Sequence, residues 1–121
     1  MADITPTITG RKPLDNGMTG ETSVLAWLGM GSSDTGVAVQ LASYTDRSVQ
    51  VGGTFGSGGT VVFEGSNDGE NFITLTDPQA NLLSKSAASI EAVQEATRYV
   101  RPRVTAGDGD TAINVYLFVR G

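Results

Sequence analysis

The chain has 121 residues, 8 of them basic and 13 acidic, with a formal net charge of −5 and neither cysteine nor histidine. These features exclude disulfides, thiolate and imidazole chemistry and nearly every zinc or copper site, and they argue against nucleic acid and anionic membrane as partners. The length and a hydrophobic content of 39% predict one folded domain with a single core.

Residues 1–20 are predicted to form an extended N-terminal arm, and residues 21–121 a β-sandwich domain. The opening MADITPTITG has no basic start and no apolar run, so it does not resemble a secretory signal, and no apolar run approaches the length of a membrane helix. We therefore expect a soluble protein. The alternatives for the arm are a frayed terminus or a first edge strand of the sheet. If the arm binds a partner, its predicted contact residues are Ile4, Ile8, Arg11, Lys12, Pro13 and Leu14.

From residue 22 onward, apolar residues alternate with polar or small residues in short runs, as expected of half-buried strands. Gly, Asp, Asn or Ser bounds each run. We expect an all-β fold, an antiparallel two-sheet β-sandwich that is jelly-roll-like. The segment Ala87–Thr97 permits either a short helix or a strand through Ser89–Val93. The predicted strands lie within Val24–Met30, Val37–Leu41, Val49–Phe55, Val61–Glu64, Phe72–Thr76, Tyr99–Thr105 and Ile113–Val119.

The last predicted strand presents two aromatic residues on the face that should meet solvent. Alternation points Ile113, Val115, Leu117 and Val119 toward the core, and it points Tyr116 and Phe118 outward. A loop or the N-terminal arm could cover these two rings. The other interpretation is a surface that contacts a partner.

Two acidic, glycine-rich segments could be sites or turns. In EGSNDGENF, residues 64–72, Asp68, Glu70 and Asn71 could converge on a hard cation, but the spacing does not match a calcium loop and a hairpin is favoured. In Gly107–Thr111, two nearby carboxylates could make an acid catalyst if they were buried, yet no companion base or nucleophile is evident. We predict a hairpin there, and a flexible hairpin connection in the glycine-rich stretch Gly52–Thr60. No metal, cofactor or catalytic residue is expected.

Arg98–Val104 is the one basic concentration in the sequence. In an extended strand, Arg101 and Arg103 share one face with Tyr99, and the valines take the other face. We expect the arginines to pair with carboxylates of adjacent strands, although they could also meet an acidic partner. Pro102 lacks a backbone donor, which predicts a sheet edge or a bulge at this position.

Two resemblances add to this interpretation. The segment Glu64–Phe72 together with Ala96–Arg101 resembles the signature of discoidin-type jelly-roll domains, with Phe72 in place of their usual tryptophan, although the ligand-binding loops of that family find no match here. The chain as a whole resembles small structural proteins of tailed-bacteriophage virions, particularly auxiliary capsid-decoration proteins. That resemblance implies a non-enzymatic protein made in the bacterial host cytoplasm. It would bind the major capsid protein on the capsid exterior and form homo-oligomers on the lattice.

Three other functions remain open. A carbohydrate-binding module could stack a sugar on Trp27, Tyr44 or Tyr116, although the single tryptophan lies in an apolar run that favours core packing. A phage tail component belongs to the same structural class as a capsid protein, and sequence does not separate them. A hydrolase that uses only carboxylates ranks last, because hairpin turns hold such groups poorly.

Overall fold

The computed structural model describes residues 3–13, 21–41 and 43–121, and these contain twelve strands and no helix. In this part of the chain, therefore, no helix is available to cross a membrane. The strands are β1 (Asp3–Ile4), β2 (Thr7–Pro13), β3 (Glu21–Met30), β4 (Thr35–Gly36), β5 (Val39–Gln40), β6 (Asp46–Thr54), β7 (Thr60–Ser66), β8 (Ile73–Thr74), β9 (Ser84–Lys85), β10 (Ser89–Ala92), β11 (Tyr99–Ala106) and β12 (Ala112–Arg120).

The strands form two sheets that enclose one core. Sheet A has the order β1-β4-β11-β7-β8, with β5 also paired to β11 and β9 to β7; sheet B has the order β10-β6-β12-β3-β2. From β3 to β12 the chain crosses repeatedly between the sheets, and apart from β1 to β4 the pairings are antiparallel. This order is that of a jelly roll. The predicted fold class, an antiparallel two-sheet β-sandwich, is confirmed.

The core lies between the sheets and follows the predicted alternation. On β12, Ile113, Val115, Leu117 and Val119 have no exposed surface, and on β11 Val100 and Val104 face them from sheet A. Trp27 is fully buried, and its indole N–H donates to the carbonyl of Val37 at 3.1 Å, so the ring is buried without an unsatisfied donor.

A bulge in β3 changes which side chains face the core. Trp27 and Met30 are both buried although they are three residues apart, and the register with β12 shifts between Ile113 and Val115. Gly29 adopts a φ of +66°, which favours glycine, and its N–H donates to the side-chain oxygen of Asn114 at 2.9 Å. As a result, Met30 returns to the core, whereas Leu28 stays on the outer face of sheet B with Val24 and Ala26 and is 48% exposed.

Two of the predicted hairpins are in fact connections between sheets. The glycine-rich stretch Gly52–Thr60 leads from β6 in sheet B to β7 in sheet A, and Gly107–Thr111 leads from β11 in sheet A to β12 in sheet B. Both predictions of a hairpin were wrong, because the same turn-forming residues serve either kind of connection. The segment Ala87–Thr97 contains β10, the strand alternative, which pairs with β6.

Pro102 lies inside sheet A, and the prediction of an edge or a bulge at this residue was wrong. It is opposite Phe63 of β7, whose N–H and carbonyl bond to Leu83 and Leu75 on the other side. The nitrogen of Pro102 therefore points toward β4 and β5, and the chain between these two short strands leaves β11 unpaired there. The missing donor coincides with an interruption of the neighbouring strand.

The first residues of the chain pair with both sheets. Strand β1 pairs in parallel with β4 of sheet A, and β2 pairs with β3 of sheet B. Residues 3–4 and 7–13 thus take the edge-strand alternative in place of an unpaired arm. Leu14 and the other residues of 14–20 lie outside the described part of the chain.

Candidate interaction surface

Strand β12 carries Tyr116 and Phe118 on the outer face of sheet B, as its alternation predicts. The side chains are 38% and 41% exposed, whereas their neighbours Val115, Leu117 and Val119 are fully buried. Because β12 is the middle strand of sheet B, the two rings lie near the centre of this face rather than at its rim.

The neighbours of these rings are small, apolar or uncharged. Tyr116 lies opposite Ala26 of β3 and Gln50 of β6, and Phe118 lies opposite Val24 and Ser48. On β10, Ile90 pairs with Gln50 and is 63% exposed. We call the outward side chains of β3, β6, β10 and β12 the outer face of sheet B. Its centre is a shallow groove of about 180 Å³, lined by Val24, Ser48, Gln50, Ile90, Tyr116 and Phe118.

Where its side chains are described, on β3, β6, β10 and β12, the outer face of sheet B is electrically almost neutral. Among the described outward side chains of these four strands, the charged ones are Asp46 and Arg120, at one end of the face. Their Oδ2 and Nε atoms are 3.1 Å apart, so the two charges offset each other. Both side chains are more than 60% exposed, and the pair also lines a larger groove of about 460 Å³ beside Phe118. Such an exposed pair contributes little to stability.

The residues predicted to bind a partner mostly belong to sheet B. Ile8, Arg11, Lys12 and Pro13 lie on β2, which is separated from β12 by β3 alone. Tyr116 and Phe118 are on β12. Ile4 lies on β1 in sheet A, where it is half-buried and packs against the core, and Leu14 is outside the described residues.

Sequence reasoning missed two further apolar residues of this surface, Leu28 and Ile90. The alternation along β3 groups Leu28 with Met30, and the bulge at Gly29 separates them; the glycine itself is the available signal. Ile90 lies in the segment for which helix and strand were both open, so its face was not assigned.

Asp68 is used by the turn that contains it. Its Oδ1 accepts the backbone N–H groups of Asn71 and Glu70, both at 2.9 Å, and the hydroxyl of Ser66 donates to the same oxygen at 2.7 Å. These hydrogen bonds, that from the N–H of Asn71 foremost, hold the pKa of the Asp68 carboxyl well below its usual range. The segment joins β7 to β8 as a hairpin, as predicted.

Asp108 links the two connections between the sheets. Its Oδ2 accepts the N–H of Ser57 at 2.8 Å, and its Oδ1 accepts the N–H of Asp110 at 2.9 Å; these bonds lower its pKa. The hydroxyl of Thr111 donates to the carbonyl of Phe55 at 2.8 Å. Asp68 follows β7 and Asp108 contacts the loop before it, so a strand of seven residues, about 20 Å long, separates them. No three acidic side chains in the described ranges come together to hold a metal ion.

On sheet A, the arginines of β11 pair with a carboxylate of the adjacent strand, as expected. Glu64 of β7 is buried, and its Oε1 lies 2.7 Å from Nε of Arg101 and 3.3 Å from Nε of Arg103. The guanidinium of Arg101 also stacks on the ring of Phe72, 3.9 Å from its centre. This group therefore fixes β7, β11 and the β7–β8 hairpin to one another.

The aromatic residues considered for sugar stacking are not grouped. Trp27 is inside the core and has no exposed surface, and Tyr44 is half-buried against the core. Tyr116 alone of the three is exposed on a sheet face. A stacking platform for a sugar would thus rest on Tyr116 and its neighbour Phe118.

No protein-family model matches the chain, and no curated protein matches its sequence. Among solved structures, the chain is similar to the crystal structure of the SPBc2 prophage-derived protein YomS, with a TM-score of 0.64 and 13% sequence identity. The match covers 88% of this chain and 100% of that chain. At this identity the likeness shows a shared fold.

Proposed function

We propose that this chain is a structural, non-enzymatic protein of a tailed-phage virion, which decorates the capsid exterior by binding the major capsid protein. The observation that carries the structural role is the exposure of Tyr116 and Phe118 on the outer face of sheet B, which is neutral where its side chains are described. Exposed aromatic residues on such a face are typical of surfaces that bind other proteins.

The fold supports a phage origin by analogy. The similar structure, YomS, is described as prophage-derived, and the match extends over most of both chains. Because one fold can serve many functions, this analogy is weaker than a shared site would be. It agrees with the likeness of the sequence to auxiliary capsid proteins.

For the capsid contact we propose the edge formed by β2. This strand ends the order of sheet B in the described part of the chain, and its outer side offers backbone groups to an extended segment of a partner. Ile8, Arg11, Lys12 and Pro13 lie on it, and the basic pair would suit an acidic segment of the capsid protein. Many copies on a lattice would make modest affinity at each site sufficient.

The test is binding to capsids that lack the protein. Purified wild-type chain is added to such capsids, and its occupancy is measured by co-sedimentation and by cryo-electron microscopy. We expect density on the capsid exterior, and we expect the double substitution Arg11→Glu and Lys12→Glu to reduce occupancy strongly. Full occupancy by the double variant would show that Arg11 and Lys12 of β2 do not form the capsid contact. No binding of the wild-type chain to any capsid of its own phage would refute the proposed function.

A carbohydrate-binding module is the second candidate, and the exposure of Tyr116 beside the polar side chains of Gln50 and Ser48 favours it. A glycan array with the wild-type chain and with Tyr116→Ala decides this point. Specific binding that the variant loses, without affinity for capsids, would reverse the order of the two candidates. A tail location is distinguished by labelling intact virions and locating the label on head or tail.

A further inference from the structure

We propose that the outer face of sheet B packs against the same face of a second copy of this chain, about a two-fold axis, with Tyr116 and Phe118 at its centre. The contact is isologous, because each copy contributes the same surface. This dimer contact rests on the proposed function and deepens it, because it names the surface through which copies associate on the capsid lattice.

The size of the face fits a weak, reversible dimer. Its four strands β3, β6, β10 and β12 have ten, nine, four and nine residues. With strands about 4.8 Å apart and a rise of about 3.3 Å per residue, the face covers about 500 Å². A standard interface takes about 800 Å² from each partner, and smaller interfaces are typical of weak contacts. We therefore expect a contact at this face to dissociate on dilution.

The charge distribution favours a second copy at this face over other self-contacts. Each chain has a net charge of −5, so two copies repel each other over most of their surfaces. The described outward side chains of β3, β6, β10 and β12 include one acid and one base, Asp46 and Arg120, and these already form an ion pair. Two such faces can approach without bringing like charges into an apolar contact.

The shape of the face also suits its own copy. Two sheets with the same right-handed twist pack face to face with their strands nearly aligned, about 10 Å apart. The rings of Tyr116 and Phe118 follow one another along β12 and line the shallow groove, and the flanking residues Ala26, Ser48 and Gln50 are small or flexible. The rings of one copy can lie beside those of the other, where Ile90 and Val24 complete an apolar contact.

The first experiment measures the mass of the purified chain in solution, without any capsid. Analytical ultracentrifugation over a range of concentrations is expected to show a reversible dimer of twice the 12.5 kDa chain mass. Phe118→Ser is expected to raise the dissociation constant by about tenfold or more, as for a central aromatic residue of an interface. The control is Leu82→Ser, which removes a residue that is 61% exposed beside sheet A and should leave the constant unchanged.

A second measurement does not depend on the stability of a variant at the centre of the face. The chain has no cysteine, so a single cysteine can carry a spin label at a chosen position. Labels on Gln50→Cys, at the face, should show a shorter distance between copies than labels on Leu82→Cys. The opposite order of distances, or a monomer at every concentration, would overturn the dimer. Binding of a monomeric chain to capsids would still support the proposed function, so the two proposals can fail separately.

Discussion

The carboxylate of Glu64 lies 2.7 Å from Nε of Arg101 on the adjacent strand, and Glu64 is only 2% exposed. The same carboxylate also contacts Arg103, so one buried acid holds two bases on the outer side of sheet A. The arginine side chains keep 28% and 42% of their surface in solvent. If Glu64 were replaced, water could therefore solvate part of both guanidinium groups and offset some of the lost ion-pair energy.

We expect Glu64→Gln to lower the free energy of unfolding by about 1–3 kcal/mol, because the amide offers no negative charge to the two guanidinium groups. Urea denaturation followed by tryptophan fluorescence measures the change. Glu70→Gln, in the exposed part of the neighbouring turn, is the control and should change stability by less than about 0.5 kcal/mol. Equal stability of Glu64→Gln and the wild type would show that the ion pairs contribute nothing net.

Gly36→Ala should destabilise the fold through overpacking. A Cβ atom at this position would lie 2.6 Å from Cδ of Pro102 and 2.8 Å from Cδ1 of Trp27, both of which are buried. The expected loss is about 1–3 kcal/mol. Gly52→Ala is the matched control, since its Cβ would meet no atom within 4 Å. We expect Gly36→Ala to melt at a lower temperature than Gly52→Ala. The opposite order would contradict the overpacking at Gly36.

Stability should fall in acid. The folded state lowers the pKa of Asp68 and of Asp108, so it binds protons less readily than the unfolded chain, in which an aspartate titrates near 3.9. The stabilisation is thus fully present above about pH 5 and is lost as pH falls toward the folded pKa. Urea midpoints measured from neutral pH downward test this.

In the same titration, Asp68→Asn and Asp108→Asn should each flatten the acid branch of the curve. Because the two turns lie at opposite ends of β7, the effects of the two substitutions should add. An acid branch that stays unchanged in the double variant would assign the pH dependence to other carboxylates.

Salt should strengthen the proposed dimer. Each copy is negatively charged, whereas each copy brings one neutralised ion pair to the proposed interface, so the main Coulomb interaction between copies is repulsive. Raising the ionic strength from low to physiological values shortens the screening length to about 8 Å and weakens this repulsion. Sedimentation at several salt concentrations should show a falling dissociation constant. A constant that rises with salt would indicate an interface held by opposite charges, which is a different surface.

Much of the fold was predictable because period-two alternation survives wherever one face of a strand is buried. It placed the inward residues of β12 and β11 correctly, and it placed Tyr116 and Phe118 on the outside. The connections were less predictable, since Gly-Asp turns such as Gly107–Thr111 have the same local chemistry whether the next strand joins the same sheet or the opposite one. That choice depends on the packing of whole sheets.

The candidate surface was predictable in part for a related reason. Its central aromatic pair follows from a local pattern. Leu28 does not, because the bulge at Gly29 separates it from Met30, and Ile90 does not, because propensity alone does not distinguish its strand from a helix. The position of Pro102 inside sheet A was not predictable for a similar reason. The interruption between β4 and β5 that leaves its nitrogen without a strand partner is distant in sequence from Pro102.

The position of β12 also sets the order in which the molecule can assemble. This strand completes sheet B by inserting between β3 and β6, so residues near position 25, which pair with β2 on one side, gain their partner on the other side only after residue 120 has been synthesised. Contacts this distant along the chain slow folding to milliseconds or longer. The ribosome therefore carries a chain in which β3 and β6 lack this shared partner until β12 emerges, and chaperones that shield such apolar strands should raise the yield.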